Sequence, residues 1–178
     1  QFWTMCVMYL LVYWCSFTIV VHIAPHAVDL GLSTVAAASM ISVMGISSIV
    51  GRLTTGKLID RIGLKRTMTI GLVGWVLAYI WLQLQGGIWT LYVFAVAYGF
   101  NHGGLFTAFS PKIAELFGTR AHGSIFGAVL VSAAFGGAIG PYLAGRMFEL
   151  TGNYKLVFVI LAILSVMMIG LNLTLRPV

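Results

Sequence analysis

Long runs without a charged side chain are the feature that most constrains the fold of this sequence. The longest, residues 67–111, contains no Asp, Glu, Lys or Arg. Only 8% of the chain is charged, whereas a soluble globular domain carries about 25% charged residues. We therefore predict an integral membrane protein with several spans, in preference to the alternative of a soluble bundle of buried helices.

A membrane-spanning helix needs about 20 predominantly apolar residues, and the uncharged runs supply six such segments. Pro25 is predicted to end the first, Ser33 or Thr34 to cap the second, and the breaker Gln85-Gly86-Gly87 to divide the longest run. The predicted spans are residues 2–23, 34–58, 67–85, 88–110, 124–148 and 154–175. The predicted fold class is therefore all-α, a polytopic membrane protein with six transmembrane helices.

The basic residues predict which ends of the spans face the cytoplasm, because cytoplasmic loops carry an excess of Lys and Arg. One side of the predicted spans receives Arg52, Lys57, Arg61, Lys65, Arg66, Lys112, Arg120 and Arg176. The other side receives only Arg146 and Lys155. We expect both ends of the chain in the cytoplasm and the spans in the bilayer of the cell membrane, plasma or inner. The net charge of +6 forms no patch or stripe, so it does not indicate a nucleic-acid partner.

An internal repeat relates the two halves of the sequence. A shift of 89 residues, half of 178, preserves type or charge at five positions. It matches Gly51, Gly56, Lys57, Asp60 and Gly63 with Gly140, Gly145, Arg146, Glu149 and Gly152. Residues 1–87 and 88–178 each carry three predicted spans, so the second half must enter the membrane in the opposite orientation. Such inverted repeats are a recurring plan of secondary transporters.

One polar segment, residues 51–66, interrupts the apolar sequence. Its part GKLIDRIGLKR, residues 56–66, resembles the cytoplasmic loop motif of the major facilitator superfamily, which joins the second and third helices of each six-helix half. The motif residues here are Gly56, Lys57, Asp60, Arg61, Gly63, Lys65 and Arg66. We interpret them as a conformational latch at the cytoplasmic rim, in which Asp60 accepts hydrogen bonds from backbone N–H groups or from Arg61. For Lys65 and Arg66 the simpler role of anchoring the loop is favoured.

Two further stretches resemble the oxalate/formate antiporter and monocarboxylate transporter branch of this superfamily. Residues 22–33, HIAPHAVDLGLS, look like its seventh helix, and YGFNHGG at 98–104 with ELFGTR at 115–120 looks like its tenth. The resemblance covers the whole chain. It implies that residues 1–178 are the C-terminal six-helix half of a carrier whose N-terminal half is its partner. The implied function is secondary transport of a small organic anion by alternating access, with proton symport or anion exchange.

Arg52 is the charged residue of this segment that we expect deepest in the membrane. It precedes Asp60 by eight residues, about 12 Å along a helix, and helical side chains lean toward the N-terminus. Gly45, Ser48 and Gly56 share its helix face and leave open volume. An ionisable residue beside a gap within a span indicates a functional site, in preference to snorkelling. The resemblance implies that Arg52 pairs with a substrate carboxylate.

Asn101 and His102, in the fourth span, are predicted at the depth of the Arg52 head group. A histidine there would orient a carboxylate or carry a proton near pH 7, and the alternative is a histidine that only bonds a neighbouring helix. The predicted substrate-binding residues are therefore Arg52, Ser48, Asn101 and His102. His22 and His26 are predicted to lie at the external rim.

Departures from the family pattern restrict the expected class of substrate and the expected coupling ion. Ser48 stands where monocarboxylate transporters often have an aspartate, which argues against proton coupling at that position. The fifth span has no basic residue before Arg146, where oxalate exchangers have a lysine, so a monocarboxylate is favoured. The alternatives are a carrier of another solute, such as a drug or sugar, and a non-transporting scaffold or receptor. Because no catalytic or metal-binding cluster has suitable spacing within the spans, we predict no enzyme, metal or cofactor.

Overall fold

The computed structural model describes residues 1–84 and 87–175. The described chain forms α1 (Phe2–Asp29), α2 (Thr34–Ile62), α3 (Leu64–Trp81), α4 (Ile88–Phe117), α5 (His122–Thr151) and α6 (Lys155–Thr174). The prediction of an all-α fold with six long helices is confirmed. Gln85 and Gly86 of the predicted breaker, and the basic residue Arg176, lie outside the described residues.

Prolines do not end the helices in which they occur. α1 continues past Pro25 to Asp29, and α4 continues past Pro111 to Phe117. A proline removes one backbone hydrogen bond and bends a helix, but neighbouring helices and polar side chains compensate for this loss in membrane proteins. The predicted end at Pro25 is therefore wrong. The predicted cap of α2 is confirmed, because the Oγ atom of Ser33 accepts a hydrogen bond from the first turn of that helix.

The predicted basic loop after Leu58 is almost entirely helical, so that prediction is wrong. α2 continues to Ile62, and Gly63 alone separates it from the first residue of α3. Gly63 has a φ of 86°, which glycine adopts without steric cost, and its N–H donates to the Ile59 carbonyl. One glycine thus replaces a loop, and the charges of the motif lie on two abutting helix ends.

The helices pair mainly across the two halves of the sequence. α1 packs most extensively on α5, α2 on α4, and α3 on α6. Small residues allow the closest of these contacts: a Cβ atom on Gly136 or Gly140 of α5 would overlap the backbone of α1. One on Gly99 or Gly103 of α4 would overlap the backbone of α2. Glycines at this spacing are typical of tightly packed membrane helices.

Matching residues of the two sequence halves occupy matching places in the fold. Gly63 ends α2 and Gly152 ends α5, each with positive φ and each donating its N–H to the carbonyl four residues earlier. Gly51 and Gly140 are both buried against the backbone of a helix from the other half. These equivalences support the inverted repeat of residues 1–87 and 88–178, which we retain as a proposal.

Two helices of the bundle, α3 and α4, are more polar than the others. Among the described residues, α1, α2, α5 and α6 are long and apolar enough to cross a membrane. α3 carries Lys65 and Arg66 in its first turn, and α4 carries Asn101 and His102, so both are less apolar. Many residues of α4 are buried against α2 and α3. The polar groups of α4 are therefore held within the bundle, where they position the candidate site.

Candidate functional site

His102 lies where α1, α2 and α4 meet. Its Nε2 atom is 2.8 Å from the Oγ atom of Ser16 in α1, and its ring stacks on Phe106 with the ring centroids 4.5 Å apart. The next residue, Gly103, lets the α2 backbone approach α4 at Ser48. Contacts from two helices thus fix the imidazole, and Ser16 is its hydrogen-bond partner within the described chain.

Arg52 follows Ser48 on α2 by about one helix turn. Its side chain is exposed and leans toward Ser48, because helical side chains point toward the N-terminus of their helix. The preceding residue, Gly51, is buried against the Phe100 carbonyl of α4, which holds the α2 backbone in place at this level. The structure therefore brings Arg52, Ser48 and His102 to one side of the bundle. Within the described chain the guanidinium has no ion-pair partner.

A cavity of about 160 Å³ opens beside these residues, between α1, α2 and α4. Its wall is mainly apolar, and the side chains of Ser48 and His102 supply polar atoms to it. The wall includes Val20, Ile41, Met44, Gly45, Ser48 and His102. The arrangement can accept a molecule that carries both an apolar group and an anionic group.

Asn101 does not join this group, although sequence analysis predicted it there. Adjacent residues of an α-helix point about 100° apart, so Asn101 faces α3 when His102 faces α1 and α2. Its side chain lies against Gly74 of α3, and its Nδ2 atom donates to the Ala97 carbonyl 2.9 Å away. The structure brings together three of the four residues predicted to bind substrate and separates Asn101 from them.

The predicted latch residues lie on the abutting ends of α2 and α3, where most of them are exposed. Asp60 forms no ion pair with Arg61 in the described part of the chain, because neighbouring side chains on a helix diverge. The exposed side chains are those of Lys57, Asp60, Arg61 and Arg66. Asp60 is thus accessible at this end of the bundle.

Lys65 instead joins the start of α3 to the end of α6. Its Nζ atom donates to the carbonyl oxygens of Leu173 and Leu175, at 2.6 and 3.0 Å. The Nδ2 atom of Asn172 returns the contact by donating to the Lys65 carbonyl and to Thr69 Oγ1, at 3.1 and 3.0 Å. Because the last carbonyls of a helix lack partners within it, these contacts anchor α6 on α3.

The repeat counterparts of the motif lie at the end of α5. Arg146 forms an exposed ion pair with Glu149, three residues later, and Gly152 ends the helix. Exposed pairs of this kind contribute only about 0.3–0.5 kcal/mol to stability. Gly145 faces the imidazole of His22, and a Cβ atom there would make an ordinary van der Waals contact with Cε1 of that ring.

His22 was predicted as a rim residue, and it links α1 to α5. Its Nε2 atom is 2.9 Å from the Pro141 carbonyl, and its Nδ1 atom is 3.1 Å from the Tyr154 hydroxyl. Because a carbonyl can only accept, Nε2 carries the proton, and in the neutral ring Nδ1 accepts from the hydroxyl. His22 thus serves packing between helices at this end of the bundle.

Ser16 and Lys112 make polar contacts that sequence analysis missed. Ser16 is one of several hydroxyl-bearing residues in α1, and no spacing rule relates it to His102, 86 residues later. Lys112 was predicted in a cytoplasmic loop, but it is fully buried in α4 and its Nζ atom is 2.7 Å from Glu115 Oε2. That prediction is wrong because α4 continues past Pro111. The spacing of Lys112 and Glu115, three residues apart, was the signal for helical neighbours.

The sequence matches the family model described as Major Facilitator Superfamily over residues 5–178. The chain belongs to the major facilitator superfamily. This family consists of transporters and not of enzymes, so the expectation that the chain is not an enzyme is confirmed by the family match. The chain is a multi-pass membrane protein, as the sequence predicted.

Relatives of this chain include monocarboxylate transporters. Monocarboxylate transporter 12 of Homo sapiens is 30% identical over 154 residues, which cover 83% of this chain and 29% of that protein. Monocarboxylate transporter 13 of Rattus norvegicus is 35% identical over 150 residues, covering 79% of this chain and 33% of that protein. The chain thus spans about a third of the length of these relatives.

Solved structures with the same fold include transporters of different solutes. The peptide transporter POT in complex with alafosfalin aligns with a TM-score of 0.84 at 18% identity, over 97% of this chain and 37% of that chain. The E. coli fucose:proton symporter aligns with a TM-score of 0.80 at 15% identity, over 97% of this chain and 42% of that chain. The six helices therefore match about half of a major facilitator fold.

Proposed function

We propose that this chain is the C-terminal six-helix half of a secondary carrier that moves a monocarboxylate across the membrane by alternating access. The coupling is proton symport or anion exchange. The names of the relatives support this class of substrate, and the length of those relatives supports a partner half of similar size. Residues 1–178 then form one domain, composed of the repeats 1–87 and 88–178.

The observation that carries the proposal is the position of Arg52. Its guanidinium is exposed on a helix that is apolar enough to span the membrane, and within the described chain it has no ion-pair partner. A guanidinium presents a planar pair of donors that matches the two oxygens of a carboxylate. An unneutralised charge in a span is costly, and a bound anion would neutralise it.

Ser48 and His102 complete the proposed binding group. Ser48 is about one helix turn from Arg52, and both it and His102 line the adjacent cavity. A hydroxyl and an imidazole supply neutral donors for a substrate oxygen that the guanidinium does not reach. The Ser16 hydroxyl keeps the imidazole in place and thereby positions it for the substrate.

The latch residues supply the proposed gate. Asp60 and Arg61 are exposed beside the one-residue junction at Gly63, where a small change in the angle between α2 and α3 would move their charges together. We propose that they contact the N-terminal half in one state of the carrier and release it in the other. Transitions of this kind are rigid-body movements across an interface.

The orientation follows from the excess of basic residues on one side of the spans. We propose that the junction of α2 and α3 and both ends of the chain face the cytoplasm, in the cell membrane, plasma or inner. α2 and α4 run in the same direction, because Ser39 bonds Tyr92 near their starts and Thr55 meets Gly104 further along. This direction is the one expected when consecutive helices cross the membrane in alternate directions.

A carrier of another solute is the main alternative, since the fold is shared with a peptide transporter and a fucose symporter. A fold does not choose among substrates, whereas an unpaired guanidinium favours an anion. A non-transporting scaffold or receptor would leave Arg52 without a function.

The experiment that tests the proposal compares acids with matched neutral molecules. The complete carrier containing this chain is reconstituted in liposomes, and uptake of a labelled monocarboxylate is competed with unlabelled acids and with their amides. We expect the acids to compete at least tenfold better than the amides. Equal competition would show that charge is not recognised, and absence of transport by the folded carrier would favour the scaffold.

A further inference from the structure

The cavity beside Arg52 is larger than a carboxylate requires. Its volume is about 160 Å³, and an apolar cavity of about 150 Å³ in another protein accepts benzene. Much of its wall is aliphatic, with Val20, Ile41 and Met44 among the lining residues. The space therefore suits one phenyl ring or a branched aliphatic group of similar size.

The cavity and the guanidinium lie along one face of α2. Gly45 and Ser48 line the cavity, and Arg52 follows Ser48 by four residues, about 6 Å along the helix. Its side chain leans back toward Ser48 because helical side chains point toward the N-terminus. The charge thus lies beyond the cavity wall on the side of Ser48, so a molecule that reaches both must carry its carboxylate at one end and its apolar group at the other.

The wall of the cavity combines fixed and adaptable parts. His102 is held by Ser16 and by stacking on Phe106, so the α4 side keeps its shape. Met44, on the α2 side, is unbranched and polarisable and adapts to the outline of a ligand. Such a wall tolerates rings and branched chains but leaves a two-carbon acid with few contacts.

We propose that this cavity is the subsite for the apolar tail of the substrate. It selects monocarboxylates with an arylalkyl group, or a branched group of similar size, over acids of two or three carbons. The inference rests on the proposed function, because it takes Arg52 as the partner of the carboxylate. It adds the size and the chemical class of the remainder of the molecule.

Gly45 provides a direct test of the subsite. A Cβ atom on Gly45 would meet open space, and Gly45 lines the cavity, so Gly45→Leu places an aliphatic side chain in it. Gly99, on the opposite wall, offers no such test because its Cβ would overlap the α2 backbone. The matched control is Gly170→Leu in α6, where an added Cβ also meets open space and the cavity is not approached.

The experiment measures how well acetate, propionate, phenylacetate and 3-phenylpropanoate compete with a labelled monocarboxylate for uptake by the complete carrier in liposomes. For the wild type and the Gly170→Leu control, we expect the two aryl acids to compete at least tenfold better than acetate. In Gly45→Leu the competition constants of the aryl acids should weaken at least tenfold, whereas those of acetate and propionate should change by no more than about twofold. Thermal unfolding of each variant confirms that it is folded.

The outcomes separate this inference from the proposed function. Equal competition by all four acids in the wild type would overturn the subsite, and that result requires no variant. An equal loss for acetate and the aryl acids in Gly45→Leu would also overturn it. If 3-phenylpropanamide competed as well as 3-phenylpropanoate, and Gly45→Leu weakened both, the subsite would stand and the anion assignment would fall.

Discussion

The Nε2 atom of His102 lies 2.8 Å from the Oγ atom of Ser16, and this hydrogen bond joins α4 to α1 across the two halves of the sequence. Either atom can donate, depending on the tautomer of the imidazole, so the contact fixes the position of the ring and leaves its proton free to relocate. A group that lines the proposed binding cavity is thus positioned by a residue on another helix.

Replacement of Ser16 tests this positioning role. Ser16→Ala removes a hydrogen bond worth about 1 kcal/mol, roughly fivefold in affinity, and we expect substrate affinity to fall by this factor. The matched control is Ser165→Ala, which removes a buried hydroxyl that donates to the Leu161 carbonyl of its own helix. Competition assays on both variants measure this loss of substrate affinity. An equal loss of affinity in Ser165→Ala would show that Ser16 serves general packing.

The glycine contacts between helices should be the most sensitive packing positions. A methyl group on Gly103 or Gly136 would overlap the backbone of the neighbouring helix, and relief of the overlap requires the helices to separate. We expect Gly103→Ala and Gly136→Ala to lower the melting temperature of the purified carrier by several degrees, since overpacking costs about 1–3 kcal/mol. Gly170→Ala, with open space around its Cβ, should leave it unchanged or raised, and equal effects at all three positions would contradict the packing account.

Asp60 tests the proposed gate. Asp60→Asn keeps the shape of an exposed side chain but removes the charge that we propose contacts the N-terminal half in one state. Turnover should fall more than substrate affinity, because the contact is conformational. Uptake rates and competition constants, measured on the same folded preparation, separate the two effects. Wild-type turnover in Asp60→Asn would contradict the latch.

The orientation can be tested by labelling single cysteines on a background in which Cys6 and Cys15 are replaced. Asp29→Cys at the end of α1 should react with a membrane-impermeant reagent on intact cells. Arg66→Cys in the first turn of α3 should react only after permeabilisation. Both positions are exposed, so accessibility within the protein does not limit either reaction. The reverse labelling pattern would contradict the orientation that was inferred from the count of basic residues.

Helix number was predictable from the sequence, but helix length was not. Spans about 20 residues long follow from the thickness of the bilayer, and six were found where six helices lie. The helix ends were misplaced because proline and charge were both treated as signals for a loop. Pro25 and Lys112 lie within helices, since membrane helices tolerate proline and Glu115 pairs with the buried ammonium group.

The candidate site was predictable only in part. The positions of Arg52, Ser48 and His102 followed from helix periodicity and depth, and the structure brings the three residues to one side of the bundle. The direction in which the Asn101 side chain points depends on the rotation of α4 about its axis. Packing at Gly74 and Gly103 sets this rotation. The roles of Ser16 and of Lys65 depend on contacts with helices distant in sequence, for which a single sequence carries no signal.

The central claim is that Arg52 binds the substrate carboxylate, and the most direct test is the affinity of Arg52→Lys for a monocarboxylate. Lysine keeps the positive charge but loses the planar pair of donors. A charge-assisted contact is worth about 1.5–3 kcal/mol, so we expect affinity to fall by about one to two decades, with a larger loss in Arg52→Ala. Binding of the same acid with equal affinity to the wild type and to folded Arg52→Lys would show that Arg52 only anchors α2.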